Sequence, residues 1–494
     1  MLLFERLGEA IEKYRDNKAF CINGSYFSYH DLAEKISGIR ILINRNSNIP
    51  GQAIGLVAND DLETYASILA IWMEGNYYVP LSPQLPTERT EHMIRQAGIK
   101  LIIDSSATVN FPEFLNIKSK RLPSAFLNLQ PKTISREAIA YILFTSGTTG
   151  IPKGVPITRN NLSEFIDSFF RIGLQTDEND RWLQMFELTF DLSIFSYLVP
   201  LLQGACIYTI PQKQIKYNYI FKLFDDYHLT VALMIPTLIR YLGPYFSEIN
   251  NRDLRYSLFC GEALPLDITE KWSLCVPTAE ILNVYGPSEA TIFCSYYAFD
   301  RNGVNKTQNG ILSIGKPMEG THAIIVNEKN HTVNDGETGE LCLSGNQITP
   351  GYLQDTVKNE TSFFEMQLCI ESERFYKTGD LCFIGPEGDI MYVGRVDSQI
   401  KINGFRVELS EIEFHARIYL VETNVVAIAY KNNLGNLEIG LFIESKEFDI
   451  HNLVKYLKEK LPSYMIPVCV RFESVFPLTK HDKTDRQELL KRFL

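Results

Sequence analysis

Strand-length apolar runs alternate with helix-length amphipathic segments through most of the chain, and this alternation constrains the fold more than any other feature. AIGLVAN (53–59), KLIIDSS (100–106) and AIAYILF (138–144) are short and apolar, as buried strands are. LETYASILAIWMEG (62–75) and TERTEHMIRQAG (87–98) predict the helices between them. Such an order implies α/β layering with mostly parallel sheets, because a strand that returns through a helix comes back parallel. After about Gly315 the texture changes. HAIIV, GELCLSG and DIMYVG are short β-rich stretches punctuated by Gly and Asn, which predicts a β-subdomain. A second change follows VGRVDSQIKINGFR. From Asp397 onward basic and acidic residues number 14 each, so the first 396 residues carry the whole net charge of −11. That neutral tail alternates a strand, NVVAIAY, with a helix, HNLVKYLKEKL. The expected architecture is a large α/β N-terminal domain over 1–396, with parallel sheets and a β-subdomain, and a small mobile α+β domain over 397–494.

Composition narrows the function. An acidic chain lacks the basic stripe that nucleic acid requires, so no nucleic-acid partner is expected. Nine cysteines are scattered singly with no CxxC pair, the pattern of a reducing cytosol and not of a disulfide scaffold or zinc site. Glu5, Arg6 and Glu9 interrupt any signal-peptide core, and no apolar run reaches the roughly 18 residues of a membrane-spanning helix. The expectation is a cytoplasmic globular protein without membrane insertion.

The strongest local signal is the string from Thr145 to Gly154, Thr-Ser-Gly-Thr-Thr-Gly-Ile-Pro-Lys-Gly, directly after the strand AIAYILF. Backbone N–H groups and hydroxyls of Thr145, Ser146, Gly147, Thr148, Thr149 and Gly150 suit phosphate oxygens, and Lys153 adds a positive charge. It is not a Walker A loop, since no Gly-Lys followed by Ser or Thr stands at the required spacing. With YVPLSP (78–83), NVYGPSEAT (283–291), FYKTGD (375–380), GRVDSQIKINGFRVE (394–408) and PLTKHDKTDR (477–486), this string resembles the adenylate-forming superfamily of acyl-CoA synthetases, luciferases and peptide-synthetase adenylation domains. The likeness covers nearly the whole chain, and no carrier or condensation motif accompanies it, so the chain reads as free-standing.

The resemblance implies ATP and Mg²⁺ as cofactors and adenylation of a carboxylic acid, a reaction between anions in which positioning and charge neutralisation dominate. It implies that Tyr285 stacks on adenine, Asn283 bonds its amine, Ser288 touches the α-phosphate and Glu289 holds Mg²⁺. Asp380 would accept the ribose hydroxyls, with Arg395 as a second ribose or phosphate contact. Lys483 would bridge the attacking carboxylate and the phosphate, unless the charged tail is only a solvated helix end. His481-Asp482 stand where the family has Asn-Gly, which restricts that loop and puts an acid beside the cation. Asp397 occupies the family's hinge, about which the small domain rotates to admit a thiol near Gly404.

Asp191, in Phe-Asp-Leu-Ser-Ile-Phe at 190–195, stands where amino-acid-activating members pair an Asp with the substrate ammonium; the alternative is a helix N-cap. LFCGEALP (258–265) resembles the D-alanine–carrier protein ligases, which have a Cys where Cys260 stands, and Arg159 replaces a His common elsewhere. Cys260 is either a small buried hydrophobe or a residue that helps set chirality. Leu192, Phe195, Leu258, Val284, Ile292 and Phe293 match the remaining pocket positions; none is charged and several are bulky. The expected partners are a small amino acid, alanine, glycine or serine among them, and a carrier protein with a phosphopantetheine thiol. An acyl- or aryl-CoA synthetase, or a nucleotide-binding paralogue with weak turnover, are the alternatives.

Overall fold

The computed structural model describes the chain apart from Met1, Asn48, residues 147–150, 212–213, 369–370, 397–398, Glu422, 478–483 and 493–494. Two compact units emerge. One comprises Met1–Pro83, Ile94–Leu143 and Gly154–Val396; the other comprises Gln84–Met93, Phe144–Lys153 and Asp397–Leu494.

The apolar runs become strands. Ala53–Val57 pairs in parallel with Tyr77–Leu81 on one side and Leu101–Asp104 on the other, inside a six-stranded sheet that ends with Ile139–Thr145 and Lys153–Thr158. A nine-stranded sheet has a parallel centre, Glu280–Tyr285 beside Tyr256–Phe259, then Val231–Met234, Arg181–Gln184 and Cys206–Thr209. Its two ends turn antiparallel, at Ser295–Ala298 and at Ser25–Ser28. The helix Leu62–Met73 buries all but one of its residues, as a helix apolar on every side must. Its Trp72 donates its indole N–H to the carbonyl of Ala140 at 2.7 Å, pinning the helix to the six-stranded sheet.

Antiparallel strands Thr321–Val326, Gly339–Gly345, Phe363–Leu368, Glu371–Ile384 and Ile390–Arg395 form the β-subdomain that the change of texture predicts. In the second unit a three-stranded sheet, Val425–Lys431, Leu437–Glu444 and Cys469–Glu473, carries the helices Leu409–Leu420 and His451–Lys460 around a core that includes Ile412, Leu441 and Leu457. The layering, the β-subdomain and the α+β tail are those expected from the sequence. Among the described residues no helix is long and apolar enough to cross a membrane.

Candidate active site

The NVYGPSEAT string leaves the nine-stranded sheet along Glu280–Tyr285, turns through a short 3-10 helix at Ser288–Ala290 and returns as Ser295–Ala298. Only glycine fits at 286, where a Cβ would lie 2.4 Å from the Phe293 Cα. Thr291 and Ile292 then adopt φ of +56° and +74°, a left-handed pair that two β-branched residues resist. The resistance is met by Gln347. Its carbonyl accepts from Thr291 Oγ1, and its Nε2 donates to the carbonyls of Ala290 at 3.3 Å and Phe293 at 3.1 Å. Thr349 N–H donates to the Glu289 carbonyl at 2.8 Å, and the Tyr352 hydroxyl donates to Glu289 Oε1 at 2.7 Å. Glu289 is 1% exposed, so residues 347–352 splint a buried carboxylate in place.

Beside this turn, Asp380 and Arg395 face each other across adjacent strands. Arg395 Nη1 donates to Asp380 Oδ1 at 2.8 Å and to the Thr378 carbonyl at 3.2 Å. The Tyr285 hydroxyl donates to the other oxygen, Oδ2. Burial, and then the Asp380 carboxylate, push the Tyr285 phenol well up, so it remains a donor. Asn283 Nδ2 donates to the Ser313 carbonyl at 2.8 Å, which fixes its amide orientation. Ser288 is half-buried at the tip of the turn. Thus three residues expected to serve the nucleotide, Tyr285, Asp380 and Arg395, share one hydrogen-bonded group.

Asp191 precedes the helix Leu192–Gln203. It occupies the cap position, but in helical backbone conformation and without a side-chain bond to the helix, so the capping alternative is not realised. It is 5% exposed. Tyr78 and Tyr141 stand opposite each other on neighbouring strands, with ring centroids 5.9 Å apart. Burial pushes both phenols up, and the Asp191 charge adds to it, so the carboxylate lies within electrostatic reach of the pair. Leu192, Phe195, Leu258, Cys260, Val284, Ile292 and Phe293 all belong to one buried cluster. Phe195 and Phe293 lie 5.2 Å apart between Phe165, Phe169 and Trp182, forming an aromatic plug. Cys260 follows the strand Tyr256–Phe259 and donates its N–H to the Met234 carbonyl at 3.1 Å. Burial, with the Cys260 thiol adding, pushes the Cys294 thiol well up, which leaves an inert neutral group.

In the second unit, Thr145 ends the strand Ile139–Thr145, and the buried Ser146 donates its hydroxyl to the Arg406 carbonyl at 2.7 Å. Lys153 opens the strand Lys153–Thr158. Strands Gln399–Ile402 and Phe405–Glu408 are joined by Asn403 and Gly404 at φ of +50° and +83°, the two-residue left-handed turn that an Asn-Gly pair favours. Phe405 stacks on Tyr464 with ring centroids 4.1 Å apart. Gly147, Thr148, Thr149, Gly150, Asp397 and Lys483 lie outside the described residues.

Sequence reasoning missed Gln347, Thr349 and Tyr352, which shape the Glu289 turn, and Tyr78 and Tyr141 beside Asp191. Tyr78 sat in a quoted motif and Tyr141 in the strand before the phosphate loop, but nothing local marks either as a neighbour of Asp191.

The AMP-binding enzyme family matches residues 7–353, more than half of the chain. The chain therefore belongs to the AMP-binding enzyme family, within the adenylate-forming superfamily. Tyrocidine synthase 3 of Brevibacillus parabrevis is 29% identical over 99% of the chain, and the chain spans 8% of that synthase's length. A solved nonribosomal peptide synthetase protein containing adenylation and PCP domains shares the fold at a TM-score of 0.87 and 23% identity, over 99% of this chain and 84% of that one. A Vibrio cholerae adenylation domain, solved in complex with glycyl-adenosine-5′-phosphate, does so at 0.86 and 23% identity, over 99% and 97% of the two chains.

Proposed function

We propose that the chain is an ATP-dependent ligase that adenylates a small amino acid, D-alanine or glycine among the candidates, and passes it to the phosphopantetheine thiol of a carrier protein. The observation that carries this reading is the buried Asp191 carboxylate at the start of the helix Leu192–Gln203, whose charge reaches the Tyr78 and Tyr141 phenols, together with uncharged residues at the other pocket positions. A buried carboxylate pairs favourably with a substrate ammonium, and an acid without the ammonium forfeits roughly 3–5 kcal/mol. With Phe195 and Phe293 at pocket positions, their paired rings would occupy volume that a larger substrate side chain needs, which supports a small one. The glycyl adenylate bound by the similar Vibrio cholerae domain agrees with that size.

The nucleotide side is supported by the Tyr285–Asp380–Arg395 group. Each Asp380 oxygen keeps a lone pair beyond its present bond, so both ribose hydroxyls fit while Arg395 and Tyr285 hold the carboxylate still. Tyr285 would lend its ring face to adenine, Asn283 would meet the base edge, and Ser288 would meet the α-phosphate. Among the described residues no cluster of three metal ligands occurs. A single buried carboxylate, Glu289, nevertheless fits Mg²⁺, which takes one or two carboxylates and completes its shell with waters and phosphate oxygens. When bound, ATP supplies the α-phosphorus that the substrate carboxylate attacks, with pyrophosphate as leaving group. Thr145 to Gly150 and Lys153 would hold the outer phosphates, Lys483 would neutralise the reacting oxygens, and Asp397 would act as hinge between residues 1–396 and 397–494. Cys260 would border the substrate α-carbon.

The deciding experiment is pyrophosphate exchange into ATP with D- and L-amino acids beside acetate, benzoate and a fatty acid. Exchange confined to one or a few small amino acids is expected. Exchange with amine-free acids alone overturns the reading of Asp191 while leaving adenylation standing.

A further inference from the structure

Residues 346–353 join the strand Gly339–Gly345 to the helix Thr356–Ser362 and form neither helix nor strand themselves, yet most of them are buried. A buried connection must find partners for its backbone polar groups. One set of partners is the Glu289 turn described above. The other is the corner where the strand Lys153–Thr158 runs into the helix Arg159–Arg171. That strand is the last of its six-stranded sheet, so its outer carbonyls face no further strand. Gly154 and Pro156, two residues apart and therefore turned to the same side, accept from the Leu353 N–H at 2.9 Å and from Thr349 Oγ1 at 2.5 Å. The buried Asn161 donates its Nδ2 to the carbonyls of Asn346 at 2.6 Å and Ile348 at 3.0 Å. Its Oδ1 accepts from the Thr158 N–H at 2.9 Å.

Thr349 meets both sides at once. It is 0% exposed, its N–H donates to the Glu289 carbonyl at 2.8 Å, and its hydroxyl reaches the Pro156 carbonyl. Its own carbonyl accepts from Arg374 Nη1 at 3.3 Å. A turn with two β-branched residues in left-handed backbone does not hold itself, so its position is set by what it is bonded to. Through Thr349 that support is the edge of a parallel sheet. Groups that orient a metal-binding side chain from behind act on metal affinity almost as the side chain itself does.

We propose that Thr349 is a positioning residue for the divalent metal: its side chain ties the Glu289 turn to the strand Lys153–Thr158 and so fixes where the carboxylate is presented. This role rests on the reading of Glu289 as the metal carboxylate. The hydroxyl is the active part of the residue. A valine has nearly the same shape but cannot donate, which leaves the buried Pro156 carbonyl without that bond and the turn without its tie.

The test is manganese(II) binding to the full chain, followed by electron paramagnetic resonance with α,β-methylene-ATP present, so that no turnover is needed. Thr349→Val should weaken manganese binding about tenfold, the lower end of what losing such a supporting partner costs. Thr349→Ser, which keeps the hydroxyl, should stay within about twofold of the native chain, and binding of the nucleotide without metal should be unchanged in both. Native manganese affinity in Thr349→Val, equal weakening in Thr349→Ser, or a parallel loss of metal-free nucleotide binding overturns the proposal. Glu289→Gln separates the two readings. If it leaves manganese binding unchanged, the assignment of Glu289 fails and the role of Thr349 with it; if it weakens binding while Thr349→Val does not, the role of Thr349 alone fails. In the double variant the valine should add nothing. If Thr349→Val does not fold, Asn161→Asp takes its place, since it keeps the acceptor for Thr158 but sets a carboxylate against the carbonyls of Asn346 and Ile348. Several-fold weaker manganese binding is then expected, and native affinity overturns the proposal.

Discussion

The Tyr352 hydroxyl donates to Glu289 Oε1 across 2.7 Å, joining positions 63 residues apart. The bond explains how a carboxylate on a strained turn keeps one orientation. In Tyr352→Phe the buried carboxylate loses that donor, at about 1–3 kcal/mol. The half-saturating Mg²⁺ concentration for pyrophosphate exchange should rise about tenfold, the equivalent of about 1.4 kcal/mol. An unchanged magnesium dependence would separate Glu289 from the metal.

Asp380→Asn should weaken nucleotide binding by about 10–100-fold in calorimetry, because charge-assisted hydrogen bonds contribute about 1.5–3 kcal/mol. Tyr285→Phe keeps the ring and removes only a neutral hydroxyl, so its loss should be smaller. The reverse order would show that the Tyr285 hydroxyl, not the carboxylate, is the main nucleotide contact.

Asp191→Asn should spare ATP binding and depress exchange with amino acids by about 100-fold or more, in line with roughly 3–5 kcal/mol for an uncompensated buried charge. Simple acids should change far less. Equal losses for both classes would assign Asp191 to the fold and not to the substrate.

Phe293→Ala opens the aromatic plug. Stability should fall by about 3–5 kcal/mol, and amino acids larger than the preferred one should gain exchange activity. Phe293→Leu, which keeps most of the volume, should lose less stability and gain less. A variant that loses stability with no change in preference would show that the plug lies outside the substrate's reach.

Burial raises the Asp60 carboxyl to about 7, partly opposed by hydrogen bonds from Thr209 and Tyr65. Because the folded value exceeds the ordinary one of about 4, the folded state holds its proton longer than the unfolded state. The contribution to stability is complete below about pH 4 and is lost as pH rises through about 7. Denaturant midpoints from pH 4 to 8 should therefore fall more steeply for the native chain than for Asp60→Asn. Parallel profiles would show that Asp60 titrates normally.

What the sequence made legible follows from period and locality. Strand-length runs at 53–59 and 138–144 declare themselves because burial on both faces removes polar residues, and the change at Gly315 because antiparallel strands need Gly and Asn turns. Asp191 was legible as an acid at a helix start, but its burial and its failure to cap the helix are tertiary facts. Arg159 likewise read as a departure from a family position; only the fold shows it sealing the helix Leu62–Met73. Tyr352 and Gln347 were invisible because they act on residues more than fifty positions away.

That distance has a consequence for how the protein matures. Thr291 and Ile292 hold their left-handed backbone against Gln347, 56 positions downstream of Thr291. A contact of that span forms only after the intervening chain has been ordered, since loop closure precedes its reward. Before then the pair relaxes to extended backbone and Glu289 loses its presentation. The turn that presents Glu289 is therefore expected to take its final form only once the chain as far as Gln347 is in place, so that a chain cut short of Gln347 would hold the parallel strands without the braced turn.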